Sequence, residues 1–67
     1  MENRILRLPE VISRTGISRS TIYRLIDQGE FPKPFSIIGR AKGWQASDIQ
    51  IWIEGVIRKG KEARNNE

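Results

Sequence analysis

Sixty-seven residues, 37% hydrophobic and 30% charged, are enough for one small soluble domain, not for a catalytic cleft together with the core to support it. The chain has neither cysteine nor histidine, which removes disulfides, thiolate metal sites and the commonest general base. Twelve Lys and Arg against eight acids give a net charge of +4, which suits a polyanionic partner and a merely solvated surface equally well until the cations are located.

Met1-Glu2-Asn3-Arg4 does not open a signal peptide, and no apolar run is long enough to span a bilayer, so a cytoplasmic location without membrane contact is expected. Ile5 to Leu8 reads as a short extended lead-in. Pro9 fits the start of a helix, where its missing N–H costs nothing. Leu8, Val11 and Ile12 keep helical spacing, and Gly16 stops that helix. Ser18 is a good N-cap for a second helix, with Ile17 and Ile22 at the two positions of a hydrophobic staple. Ile22, Leu25 and Ile26 form one apolar face, and Gly29 ends the helix. Two helices joined by a short turn containing glycine form the helix-turn-helix pattern. A plain helical hairpin is the alternative. Short length, basic charge and a cationic second helix favour DNA binding over it.

Phe31-Pro32-Lys33-Pro34 cannot be helical and directs the chain into an extended path. Phe35 to Ile38 then reads as a strand, Gly39 to Gly43 as a turn, and Trp44-Gln45 as a short returning strand; such a hairpin is a wing. Ser47 with Gln50 predicts a capping box for a third helix, helped by Asp48 near the positive end of the helix dipole. Ile49, Trp52, Ile53 and Val56 give this helix its apolar face. Ile51 points away from that face; one exposed isoleucine is ordinary, and a self-association patch is the alternative. Trp44, Trp52 and Phe35 are expected in the core rather than as base-stacking platforms. The expected fold is mainly α with a small β-hairpin: a winged helix-turn-helix of three helices plus wing over residues 1–58. Residues 59–67, with only Ala63 apolar, are expected to form a disordered basic tail.

Arg7-Leu8-Pro9-Glu10-Val11 and Thr15-Gly16-Ile17-Ser18-Arg19-Ser20-Thr21-Ile22-Tyr23-Arg24 resemble the opening of the AlpA family of phage and prophage regulators. Phe31-Pro32-Lys33-Pro34, Gly43-Trp44 and Ser47-Asp48-Ile49 with Trp52-Ile53 continue the resemblance, which covers roughly residues 5–53. That family is similar to MerR-like winged helices and to excisionases. The resemblance implies a sequence-specific transcriptional regulator that binds double-stranded DNA, belongs to a phage or prophage-like element, and acts near an integrase or excision gene. RNA polymerase or a phage recombinase are further partners it suggests. MerR proteins continue into a dimerising helix and an effector domain; with the chain ending at Glu67, no small-molecule effector is expected. Two other readings stay open. One is an excisionase-like factor that bends attachment-site DNA, and the other a protein-interaction module whose basic surface docks an acidic partner.

With Ile22 facing the core, helical stepping of about 100° per residue puts Ser20, Arg24 and Asp27 on the opposite face, with Tyr23 and Thr21 on the flanks. N-terminal residues of the second helix meet base edges in the major groove. Arg24 is the candidate for a bidentate contact to guanine; an intrahelical pair with Asp27, worth only ~0.2–0.5 kcal/mol, is too weak to hold it back. Arg19, beside the helix N-terminus, suits a phosphate. Ser20 and Thr21 suit DNA contacts or local capping equally. Tyr23 suits a phosphate or sugar contact, or a half-buried site with a wet tip. Arg40 and Lys42, at the expected wing tip, suit a minor groove or a phosphate backbone, against a solubilising loop. Glu10, Asp27, Glu30, Asp48 and Glu54 are scattered without a metal-ligand or paired-carboxylate pattern, so neither a metal, a cofactor nor an enzymatic role is expected.

Overall fold

A computed structural model describes residues 3–65, in the order β1 (Ile5–Leu6), α1 (Leu8–Thr15), α2 (Arg19–Asp27), β2 (Phe35–Ile38), β3 (Ala41–Gln45) and α3 (Ala46–Asn65). Residues 1–2 of the expected domain and 66–67 of the expected tail lie outside the described residues. The arrangement is the mainly α winged helix-turn-helix that the sequence predicts.

The helix-turn-helix is set by its ends. Pro9 sits in the first turn of α1, and Gly16, at φ 72°, closes the helix by donating its N–H to the Ile12 carbonyl. That left-handed conformation is cheap only for glycine. Ser18 caps α2, its Oγ accepting from the Thr21 N–H at a long 3.4 Å. At the other end Gly29, at φ 74°, donates to the Ile26 carbonyl at 3.0 Å while Glu30 donates to Leu25 at 2.8 Å. This pair of bonds satisfies two carbonyls that a helix end leaves orphaned and turns the chain sharply.

The sheet is larger than the expected hairpin. β3 is its central strand, with β1 and β2 antiparallel on either side. Ile5 pairs with Gln45 and Leu6 with Trp44, while Phe35 pairs with Gly43, Ser36 with Lys42 and Ile38 with Ala41. Ile37 is the extra residue of a bulge in β2. Only Gly39 and Arg40 form the turn between β2 and β3, because Gly39 at φ 54° allows a two-residue loop. The expected five-residue turn is therefore corrected: β3 starts at Ala41, and Lys42 is a strand residue rather than part of the tip. Gly43 lies between two strands so close that a Cβ would sit 2.7 Å from the Leu6 carbonyl oxygen and 2.8 Å from Ile37 Cδ1.

Leu6, Val11, Ile22, Phe31, Trp44, Ala46 and Ile49 make the buried core, with Trp52 and Ile53 among the half-buried residues packed on it. Phe35, expected inside, is 42% exposed; Phe31 takes the inner position. The Phe31 ring meets Trp52 edge-on at 4.7 Å between centroids and Trp44 at 6.4 Å. Both indole N–H groups donate to this segment's backbone: Trp44 Nε1 to Pro32 O at 2.7 Å, and Trp52 Nε1 to Glu30 O at 2.8 Å. The connection between α2 and the wing is thus pinned by tryptophans on two different elements.

β3 runs directly into α3, whose first N–H, that of Ala46, donates to the Arg4 carbonyl at 2.7 Å. Ser47 accordingly lies inside the helix rather than at its cap, and Gln50 turns forward to Glu54 Oε2 at 3.1 Å instead of back to Ser47. The expected capping box is not formed. Where an irregular tail was expected after Arg58, α3 continues to Asn65, exposed from Ile57 through Arg64. Among the described residues no helix is long and apolar enough to cross a membrane.

Candidate nucleic-acid interface

The outer surface of α2 follows from its core face. Ile22 is fully buried, so Ser20, Arg24 and Asp27 fall on the exposed side, and Thr21 is half-buried on the flank. Among the described residues Arg24 makes no ion pair with Asp27, which leaves its guanidinium free in solvent. Arg19 folds back over Tyr23, with its guanidinium carbon 5.9 Å from the ring centroid, within cation–π reach. This contact orients two exposed side chains together. The hydroxyls of Ser20 and Thr21 join the cap: Ser18 Oγ donates to Thr21 Oγ1 at 3.0 Å and lies 3.4 Å from Ser20 Oγ. Both hydroxyls thus contact the side chain that caps the helix; Ser20 is exposed and Thr21 half-buried.

The wing approaches from the other side. Arg40 stands in its turn, and Lys42 extends from β3 opposite Ser36; both are exposed. A groove of about 400 Å³ brings them together with Tyr23 of α2, and Arg7, Pro9 and Trp44 also line it. Arg19, Ser20, Thr21 and Arg24 do not line this groove and remain on α2 beside it.

Arg7 is the cation that sequence reasoning missed. It occupies the position before α1, where a capping side chain should accept a hydrogen bond, and its side chain makes none there. A donor-only side chain at a helix N-cap was the available signal. The other cation nearby, Arg4, is instead paired with Glu10. Among the described residues no acid lies within ion-pair distance of Arg7, Arg40 or Lys42. Unpaired cations around a tyrosine, in a groove whose lining contains no acid, suit an anionic backbone. Among the described residues no three metal-ligating side chains of the His, Cys, Asp or Glu type come together.

Comparison with known proteins adds a lineage to this geometry. The family model of the prophage CP4-57 regulatory protein (AlpA) matches residues 4–57, which spans every residue of the groove. An uncharacterized protein, ORF88 of Enterobacteria phage P4, is 46% identical over 56 residues, covering 84% of this chain and 64% of its own length. The chain therefore spans a little less than two thirds of that phage relative. The DNA-binding transcriptional activator AlpA of Escherichia coli (strain K12) is 38% identical over 56 residues, covering 75% of this chain and 80% of its own length.

Proposed function

Because the chain belongs to the AlpA family of prophage regulatory proteins, we propose that it binds double-stranded DNA through α2 and the wing, and regulates transcription within a phage-like element. The observation that carries this reading is the single surface on which Arg7, Tyr23, Arg40 and Lys42 converge beside the exposed face of α2. A major groove is about 12 Å wide and admits one helix, while flanking cations hold the two phosphate backbones.

In this reading Arg24 reads a guanine edge through its forked donors. Arg19, held against Tyr23, contacts a phosphate, and Tyr23 contributes its hydroxyl or ring edge to the sugar-phosphate. Ser20 and Thr21 fix the helix start and donate at its margin. Arg40 and Lys42, with Arg7, grip the backbone flanking the major groove. In this reading the chain acts by binding and carries out no catalytic step. The name of the Escherichia coli relative supports transcriptional control, and an integrase or excision gene is the target we assign, with RNA polymerase or a recombinase as the protein acted upon.

Selection of bound sites from random duplex DNA tests the reading. One enriched motif, bound at least about 10³-fold more tightly than random duplex, is expected. Absence of any enriched motif, or binding insensitive to salt, overturns it.

A further inference from the structure

A second groove, of about 870 Å³, lies between α3, the C-terminal end of α2 and the Phe31-Pro32 segment, and shares no lining residue with the basic one. Along it α3 presents Asp48, Ile51, Trp52, Gly55, Val56 and Lys59, at the alternating three- and four-residue spacing of a helix-pairing seam. Ile51 is 66% exposed and Val56 47%. These apolar side chains stand in a row on one side of the protein.

Gly55 makes the row informative. Glycine weakens a helix interior, yet nothing in the chain requires it there: its φ is not positive, and an added Cβ would meet nothing within 4 Å. The space it leaves is on the groove side.

The stripe is its own complement. A second copy laid antiparallel, with a two-fold axis between residues 53 and 54, sets Asp48 against Lys59, Ile51 against Val56, and Trp52 against Gly55. Acid meets base, branched aliphatic meets branched aliphatic, and the largest side chain meets the smallest. We propose that α3 pairs in this way with α3 of a second copy of the chain, each contact being made twice across the axis. The extension of α3 beyond the core then acquires a purpose. It carries Lys61 and Arg64 of each copy past Lys59, toward the end of the partner helix that bears Asp48. An interface built on one helix stripe is small, and we expect dissociation in the micromolar range.

Sedimentation of the full chain across that range tests the pairing without DNA. The apparent mass should rise from one chain to two; a chain that stays monomeric throughout overturns the proposal. Asp48→Lys and Lys59→Asp should each weaken association about tenfold at low salt, by placing like charges opposite one another. Mixed in equal amounts, the two variants should associate with each other at least as well as the parent does with itself, because both crossed contacts are again acid to base. A mixture no better than its separate components overturns the antiparallel register. Gly55→Leu should melt no lower than the parent, yet sediment as a monomer. A Gly55→Leu protein that still dimerises means that Trp52 does not pack on residue 55, and the register falls.

Discussion

The seam between the sheet and α3 differs from the outer surface of α2 and the wing in how far its polar groups are already committed. In the seam, each indole N–H is spent on a carbonyl of the connecting segment, and Phe31 fills the space between the two rings. On the outer surface, Arg7, Arg24, Arg40 and Lys42 stand without an acid partner among the described residues. Groups already paired stabilise the fold and have nothing left for a ligand. Groups left unpaired in solvent stabilise little and are available to one. A substitution in the first region should therefore register in melting, and one in the second in binding alone.

The largest effect belongs to Trp44. Its side chain is 3% exposed, and its truncation also strips Pro32 O of its donor. Trp44→Ala should cost about 3–5 kcal/mol, comparable to the whole stability of so small a core, and a circular dichroism melt should show no cooperative transition. A folded Trp44→Ala protein breaks the comparison at its stronger end. Gly43→Ala should follow, at about 1–3 kcal/mol or somewhat more, because the added Cβ meets the Leu6 carbonyl and not merely a mobile side chain. A melting temperature equal to the parent's would mean that β1 moves away from β3 without cost.

On the outer surface Arg24→Ala should leave melting unchanged and weaken binding to the preferred DNA site by about 1–3 kcal/mol, with a much smaller loss on random duplex. Equal losses on both would reassign Arg24 to a phosphate. Replacing Arg40 and Lys42 together by Gln should weaken all sequences alike and flatten the slope of log K against log salt by roughly 0.9 per lost phosphate contact. A slope that does not change would turn the wing away from DNA.

The parts of the fold legible in the sequence are those fixed within a few residues of chain. Gly16, Ser18 and Gly29 mark their helix ends by local chemistry, and each stands where that chemistry requires. Contacts distant in sequence left no such mark. Two residues of β1 are too few to show alternation, and their pairing partners lie near Gln45, forty residues away. Phe31 and Phe35 flank the same prolines, and nothing local says which ring turns inward; the two tryptophans decide it from β3 and α3. Gly39 and Gly43 both looked like turn residues, but only Gly39 has a positive φ, while Gly43 is there for close packing. That misreading put Lys42 at the wing tip. Of the surface assigned to DNA, the α2 residues follow from helical stepping, whereas the convergence of Arg7 with Tyr23 and the wing depends on how three elements pack.

The smallest expected effect concerns the end of α3. From Ile57 through Arg64 the helix is exposed; the family match stops at residue 57, and the last residue of α3 packed on the core is Ile53. A helical segment this short gains little from its own hydrogen bonds, and Gly60 weakens it further. Its exposed residues contribute no apolar burial to the core. We therefore expect a chain ending at Lys59, measured dilute enough to be monomeric, to melt cooperatively within a few degrees of the parent, the shift that a few tenths of a kcal/mol produces in so small a domain. Amide exchange in the full chain should be correspondingly fast from Gly60 onward and slow around Ile49. Loss of Lys61 and Arg64 should lower DNA affinity slightly through charge. If the shortened chain instead unfolds under those dilute conditions, residues beyond Lys59 hold the core in a way that their exposure does not reveal, and the boundary between folded unit and extension must move past residue 59.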